Sequence, residues 1–389
     1  MKVVIAHNRY SSAQPSGENS VVDRDIAQLT DAGVTVLPFL RDSDDIGALS
    51  PVGKAALVTS PIRNGSAKRE LAELLTRERP DVLHLHNPYP LLSPSIIETA
   101  HEHGVPVVHT VHNFRQVCVN GLYFRDGHLC HDCRGRAFPT PAIVHACYRG
   151  SRAQSVVMAT TLTVSRPLWR SVDRFIALTG DIAAHLRGYG IADEAITVKP
   201  NSIPDPGEHD VVGDGAVFVG RLSEEKGVDL LLDAWRRLPE GHAGTLTIVG
   251  DGPLAPRVAE FADRRGDVVY RGPLPHDAVT EAIRAAAFLV TTSLCADVLP
   301  TVVIEALANA RPVLTTNLGG PPHMIGDAGL AVTADAGAVA DGLTALRADA
   351  PALTEVARAR YLAEFAPGIG LERQLAVYEE VSAAARRAR

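Results

Sequence analysis

Residues 297–320 read DVLPTVVIEALANARPVLTTNLGG. An apolar run at 287–290 precedes them and predicts a buried strand ending in Thr291, Thr292 and Ser293. Helical spacing follows at Val302, Val303, Ala306 and Leu307, then a short strand at 313–315, then Gly319-Gly320. This is a strand, loop, helix, strand, loop unit, and in an open parallel sheet ligands bind beyond the carboxyl ends of the strands. Asp297 stands in the first loop and Glu305 about two turns into the helical pattern. Carboxylates so placed can accept hydrogen bonds from sugar hydroxyls, and a glycine pair would leave backbone N–H groups open to a phosphate. Glu305 could equally cap or solvate the helix; the stretch alone leaves both readings open.

Working outward, strand and helix patterns alternate along the whole chain, which predicts parallel sheets covered on both faces. In the first half, strands are expected at 3–6, 34–40, 81–85, 106–111 and 174–178, alternating with helices at 67–76, 95–103, 155–169 and 181–189 and a helical pattern at Val22, Ile26 and Leu29. The segment 199–215, KPNSIPDPGEHDVVGDG, is rich in Pro, Gly and Asp and reads as a linker. Alternation restarts with a strand at 216–219, a helix at 228–238 with Val228, Leu231, Leu232, Trp235 and Leu238 on one face, and a strand at 245–249. The expected organisation is an N-terminal domain 1–200 with a cysteine-rich insert 114–150, a linker 201–215 and a second domain 216–365. A final helix, 366–389, would cross back to the first domain. The fold class is α/β, with two doubly wound domains.

A chain of 389 residues is long for one core, which agrees with two domains. A formal charge of −7 argues against a general nucleic-acid binder. No run approaches the about 18 apolar residues that span a bilayer. The start, MKVVIAHN, enters a strand without a leader, so a cytoplasmic location is expected, with at most peripheral membrane contact through the basic end Arg386-Arg387-Ala388-Arg389.

Three phosphate-type signals fall in the second domain. Residues 220–227, GRLSEEKG, place two cations and two glycines between a strand and a helix, which suits a diphosphate. Gly250-Asp251-Gly252-Pro253 is a tight strand-to-helix turn, and Gly319-Gly320 is the third signal. Together they favour a mononucleotide-type ligand.

These elements resemble the retaining glycosyltransferases of family 4, which have the GT-B fold: two Rossmann-like domains facing a cleft that holds a nucleotide sugar. GRLSEEKG, VGDGP, the acids Asp297 and Glu305, and PVLTTNLGGPP carry the likeness in the second domain. In the first domain it rests on PSGEN at 15–19 and HTVHN at 109–113. The resemblance implies that Arg221 and Lys226 hold the donor diphosphate, Glu305 the ribose and Asp297 the donor sugar. It makes His112 a residue that reaches the transferred sugar. Gly17, Gly250, Asp251, Thr301, Gly319 and Gly320 join the expected substrate-binding set. The donor would be a UDP or GDP sugar, and the acceptor a hydroxyl on a glycan, a lipid-linked glycan or a small metabolite. Where the family usually has Glu, seven residues and Glu, with Gly-Phe after the first acid, this chain has Asp297 followed by Val298, Leu299 and Pro300. The shorter acid implies a shifted sugar contact. No Asp-x-Asp pair stands at a strand end of the second domain, so metal-independent chemistry is expected. The family's picture is retention, with the leaving phosphate helping to deprotonate the acceptor on the same face.

Four of the five cysteines, Cys118, Cys130, Cys133 and Cys147, fall in the insert, with Cys130-His131-Asp132-Cys133 forming a C-x-x-C knuckle. Four thiolates suit a structural zinc, and a cytoplasmic setting disfavours disulfides. Buried thiols without metal, or His131 replacing a cysteine, are the rival readings, and Cys295 reads as a core residue. Tyr123, Phe124, Arg125 and Arg149 are candidate acceptor contacts. Two other functions fit part of the pattern: a GT-B nucleotide-sugar epimerase and a non-catalytic, zinc-stabilised sugar-binding protein. A dinucleotide enzyme is disfavoured because no G-x-G-x-x-G turn follows the first strand.

Overall fold

Strand β1 (Lys2–Arg9) is followed by β2 (Thr35–Asp42), β3 (Val82–Leu85), β4 (Val107–Val111), β5 (Phe124–Arg125), β6 (His128–Leu129), β7 (Arg174–Ala177) and β8 (Ile196–Val198). Six of these form one sheet in the order β2-β1-β3-β4-β7-β8, every pair parallel, while β5 and β6 form a separate antiparallel hairpin. The second half contributes β9 (Ala216–Val219), β10 (Leu246–Val249), β11 (Val268–Tyr270), β12 (Phe288–Thr291), β13 (Val313–Thr316) and β14 (Gly329–Val332). These pair in parallel as β11-β10-β9-β12-β13-β14. The computed structural model describes residues 1–12, 16–50, 53, 57–207 and 213–387.

The chain divides into two units. The N-terminal unit comprises Met1–Tyr123, His131–Pro200 and Gly370–Arg389; the C-terminal unit comprises Phe124–Cys130 and Asn201–Ile369. The hairpin β5–β6, read from sequence as part of the first domain, therefore groups with the C-terminal unit. At its turn a Cβ added to Gly127 would lie 3.4 Å from Glu224 Oε1.

Each sheet reverses its strand order once. In the N-terminal unit the reversal lies between β1 and β3, and in the C-terminal unit between β9 and β12. At such a point the loops on neighbouring strands lead to opposite faces and leave a crevice at the carboxyl ends. The central strands are apolar because both faces are covered: β3, β4, β12 and β13 are buried throughout. Edge strand β2 is more exposed and carries Pro38, whose missing N–H is tolerated at an edge.

Helix Val228–Arg237 buries Val228, Leu231, Leu232 and Trp235, the face read from their spacing. The helix expected at 155–169 is two helices, Arg152–Val164 and Arg166–Arg170. Pro167 lies in the first turn of the second, where a residue lacking an N–H is accommodated, so the chain restarts there. Helix Pro367–Arg387 supplies Val377, Tyr378 and Val381 to the core formed by Val3, Ile5, Val22 and Val108. Its Arg386 pairs with Asp81 at 2.7 Å, which gives that basic residue an intramolecular role; Ala388 and Arg389 lie outside the described residues. Residues 201–207 are tied to the C-terminal unit. Arg358 makes two bonds to Asp205, Arg284 donates to the Pro206 carbonyl and Tyr361 donates to the Ile203 carbonyl. Residues 208–212 of the expected linker lie outside the described residues. Among the described residues no helix is long and apolar enough to cross a membrane.

Candidate functional site

In the C-terminal unit the loops after β9 and β12 flank the reversal and carry the charged candidates. Lys226 ends the loop 220–227 and pairs through Nζ with Asp297 Oδ2, which also accepts from Ser293 Oγ at 3.1 Å. Burial alone would lower the Lys226 pKa, but the facing carboxylate outweighs it and holds the ammonium above its usual range. Arg221 pairs with Glu225 on the more exposed side of the same loop. The two cations read as diphosphate ligands are thus each paired with a carboxylate. Asp297 is one of those partners. Ser223 Oγ, in the same loop, is buried without a hydrogen-bond partner. Helix Thr301–Ala308 begins after Pro300, so Thr301 opens it and Glu305 stands in its second turn. Cys295 is buried, which pushes its thiol up to about 12 and fits a core residue.

The glycines of these loops serve the loops themselves. Gly320 donates its N–H to the Asp297 carbonyl at 2.8 Å, and a Cβ on Gly319 would come within 2.4 Å of that carbonyl oxygen. The Gly250 N–H goes to the Gly272 carbonyl at 2.9 Å, and a Cβ there would meet Gly220 O at 1.9 Å. The Asp251 carbonyl accepts from Leu222 N–H at 2.8 Å, while its Oδ1 accepts from Gly252 N–H. Of the pair 319–320, the Gly320 N–H, expected to be open to a phosphate, is thus engaged by the Asp297 carbonyl. Loop-on-loop contact, which sequence spacing does not display, requires these glycines. Gly227 shows the requirement most sharply: φ is +66° and an added Cβ would lie 1.7 Å from the Thr292 carbonyl oxygen. Gly227→Ala is expected to destabilise the C-terminal unit by at least about 3 kcal/mol. Gly33→Ala, also at positive φ but with open space around it, should cost only about 1–2 kcal/mol. Equal losses in thermal melts would show that packing against Thr292 is not the cause.

In the N-terminal unit, histidines gather at the carboxyl ends of β1, β3 and β4. His112, just after β4, meets His86 Nδ1 with its Nε2 at 2.9 Å, and the two rings stack. His84 bridges Tyr378 Oη (2.6 Å) and Thr110 Oγ1 (2.7 Å), and His109 meets the Leu85 carbonyl at 2.9 Å. His7 Nε2 lies 3.0 Å from Asn19 Oδ1. Burial is the leading cause that depresses every one of them: His7 and His109 fall to about 4, and His84, His86 and His112 fall well below the ordinary value. His112 is therefore a neutral imidazole with one nitrogen already engaged.

A pocket opens beside this cluster, lined by Glu18, His86, Tyr89, His112, Arg115 and Trp169 among others. Gly17 begins helix Gly17–Asp31, which Ser16 caps; Pro15, at the start of the quoted PSGEN, lies outside the described residues. Glu18 accepts from Tyr10 Oη at 3.1 Å, and burial pushes its carboxyl up to about 7 against the pull of Arg115. Glu18, His86 and Arg115 were not anticipated from sequence, although Glu18 lies within PSGEN and Arg115 two residues beyond HTVHN.

Tyr123 is a core residue, its Oη 3.1 Å from His185 Nδ1 and its ring on Phe114. Phe124 is buried, Arg125 pairs with Asp126 and Arg149 lies over the Tyr148 ring. Cys118 donates to Asn120 Oδ1, and burial raises its thiol pKa. Among the described residues no three His, Cys, Asp or Glu side chains are grouped to hold a metal ion.

A family model described as "Glycosyl transferase 4-like domain" matches residues 16–202, and one described as "Glycosyl transferases group 1" matches 213–349. The chain belongs to the family 4 glycosyltransferases. Its two parallel-sheet units are those of the GT-B fold. Sucrose-phosphate synthase from Thermosynechococcus elongatus superposes with a TM-score of 0.73 at 18% identity, covering 98% of this chain and 99% of that one. Anabaena Alr3699/HepE, solved with UDP, gives 0.67 at 15% identity over 98% and 100%; at these identities the likeness shows the fold. In sequence, the D-inositol 3-phosphate glycosyltransferase of Segniliparus rotundus is 29% identical over 220 residues, 48% of each chain. The family 4 chain described here spans 20% to 48% of the length of the curated relatives it matches.

Proposed function

We propose that this chain is a retaining glycosyltransferase that moves a sugar from a nucleotide-diphosphate sugar to a hydroxyl acceptor, with no divalent metal in the chemical step. The observation that carries the reading is the Lys226–Asp297 pair beside the strand-order reversal of the C-terminal sheet. Anabaena HepE, of the same fold, was solved with UDP and with UDP-glucose, which supports a nucleotide-sugar donor.

In this reading the donor diphosphate draws Lys226 away from Asp297. The bond between the anomeric carbon and the diphosphate oxygen breaks, and its electron pair leaves with the diphosphate. Lys226 and Arg221 hold that charge, the kind of preorganised stabilisation that dominates many enzymatic barriers. A new bond forms from the acceptor oxygen to the anomeric carbon on the same face, and the acceptor proton passes to the departing phosphate oxygen. Asp297, released from Lys226, accepts a hydrogen bond from the donor sugar, and Glu305 accepts from the ribose. The shorter reach of Asp297 selects the sugar orientation.

The test is to incubate the protein with UDP and GDP sugars and a panel of hydroxyl acceptors and to follow the anomeric signal by NMR. Retained configuration and a rate unchanged by EDTA are expected. An inverted product removes retention, a rate lost with EDTA and restored by magnesium removes metal independence, and release of an isomerised nucleotide sugar without transfer removes the transferase reading.

A further inference from the structure

We infer that a groove on the flank of the N-terminal unit binds a phosphate ester through four arginines, Arg134, Arg136, Arg166 and Arg170. The groove offers about 160 Å³, against about 20 Å³ in the pocket beside the histidines. A cavity of about 150 Å³ takes a benzene-sized ligand, so a phosphate group enters this one together with its nearest substituent. All four arginines line it, with Thr163 and Tyr189, and among the described residues no acid does. None of the four forms an ion pair with a described carboxylate.

The groove lies apart from the crevice at the carboxyl ends of the strands. Helix Arg166–Arg170 leads into the amino end of β7, and helix Gly180–Tyr189 ends a short turn before β8. Arg170, Gly188 and Tyr189 therefore line the groove from the amino-end side of the sheet. Gln116 alone lines both this groove and the pocket beside the histidines.

The guanidinium groups are held in place and converge. Arg170 Nη2 donates to the Tyr189 carbonyl at 3.2 Å, and Arg166 Nη2 to the Arg136 carbonyl at 3.0 Å. Arg136 Nε donates to the Asp132 carbonyl at 2.6 Å. A Cβ on Gly188 would lie 3.1 Å from Arg134 Nη2. Glycine weakens a helix, and here it leaves the space beside which the Arg134 guanidinium sits. These bonds use few of the five N–H donors that each guanidinium carries. A cation also complements the end of a helix, but that end carries only about half an elementary charge. Arg170 already serves its last carbonyl, while Arg187 of the last turn pairs with Asp193. Capping and backbone support thus leave Arg134, and most donors of the other three, without a task. Four like charges in one groove repel one another, and an anion relieves that repulsion. Arginine forks pair bidentately with phosphate oxygens, and four of them suit a doubly charged phosphate better than one carboxylate.

The experiment is calorimetry on the full chain with inorganic phosphate, glycerol 3-phosphate and acetate at one ionic strength. Cosedimentation with phosphatidylcholine vesicles, with and without phosphatidic acid, tests the same group on a lipid. The free phosphates, the phosphatidic acid vesicles or both are expected to bind at least about tenfold tighter than their controls, acetate and plain vesicles. Which of them binds tells a soluble source from a lipid one. Arg134→Gln, whose side chain holds no described carbonyl, should weaken binding about tenfold at an unchanged melting temperature. Arg134→Lys, which keeps the charge without the fork, should weaken it less. Lys226→Ala, in the loop of the other unit read as the diphosphate site, should leave it intact. The proposal is overturned if neither phosphate source is preferred over its control, if Arg134→Gln leaves binding unchanged, or if Lys226→Ala abolishes it.

Discussion

Lys226→Ala is expected to slow sugar transfer at saturating donor by about two decades, equivalent to about 3 kcal/mol of barrier, while the fold survives. The side chain is paired with Asp297, and that carboxylate keeps it charged despite burial. It can therefore be handed over to a diphosphate without a proton being gained or lost. Removing it leaves Asp297 with Ser293, and the pair is partly solvated, so the stability loss should be about 1 kcal/mol. Asp297→Asn tests the other half of the exchange. It should weaken transfer far more than it weakens binding of the bare nucleotide diphosphate, because the acid's proposed partner is the sugar. Asp297→Glu should shift which donor sugar is preferred, since the carboxylate moves by one methylene. Turnover near wild type in Lys226→Ala removes the diphosphate assignment. Equal losses for sugar donor and bare nucleotide in Asp297→Asn mean that Asp297 only shapes its loop.

The N-terminal unit should open on mild acidification while the C-terminal unit holds. His7, His84, His86, His109, His112 and His185 all have folded pKa values depressed mainly by burial. An unfolded histidine titrates near 6.5, so below that pH the unfolded chain binds more protons than the folded one. The stability these groups contribute is complete above pH 6.5 and is lost as pH falls towards about 4, where His7, His109 and His185 titrate. A shift of that size corresponds to about 3 kcal/mol per group, and a domain holds only about 5–15 kcal/mol in total. Glu18 and Asp25 work the other way, since burial raises both carboxyls and each adds stability as pH falls, Glu18 from about 7 towards 4.5, but they are two groups against six. In the C-terminal unit, Asp267 is held below its usual 3.8 by the Arg265 and Trp235 bonds despite burial, so its contribution lasts to lower pH. The chain has two tryptophans, Trp169 against His109 in the first unit and Trp235 bonded to Asp267 in the second. Fluorescence of Trp235→Phe and Trp169→Phe therefore reads the units separately. The Trp169 signal should change between pH 6 and 4.5 and the Trp235 signal should not; coincident transitions would refute the assignment.

Much of this protein was determined by local sequence. Alternating apolar strands and amphipathic helices are set by which residues can be buried on a strand or on one helical stripe. They were sufficient to place Val228, Leu231, Leu232 and Trp235 on one face and Lys226 and Asp297 in loops at strand ends. Only the tertiary structure decided what those loops touch. Lys226 and Asp297 lie 71 residues apart in sequence and meet because β9 and β12 are neighbours at the point where strand order reverses. The glycines at 227, 250 and 319 are required by backbone from other loops, a contact with no signature in spacing. Arg115 and Glu18, 97 residues apart in sequence, were not legible as neighbours, because which side chains line a pocket together is settled only when the chain has folded around it.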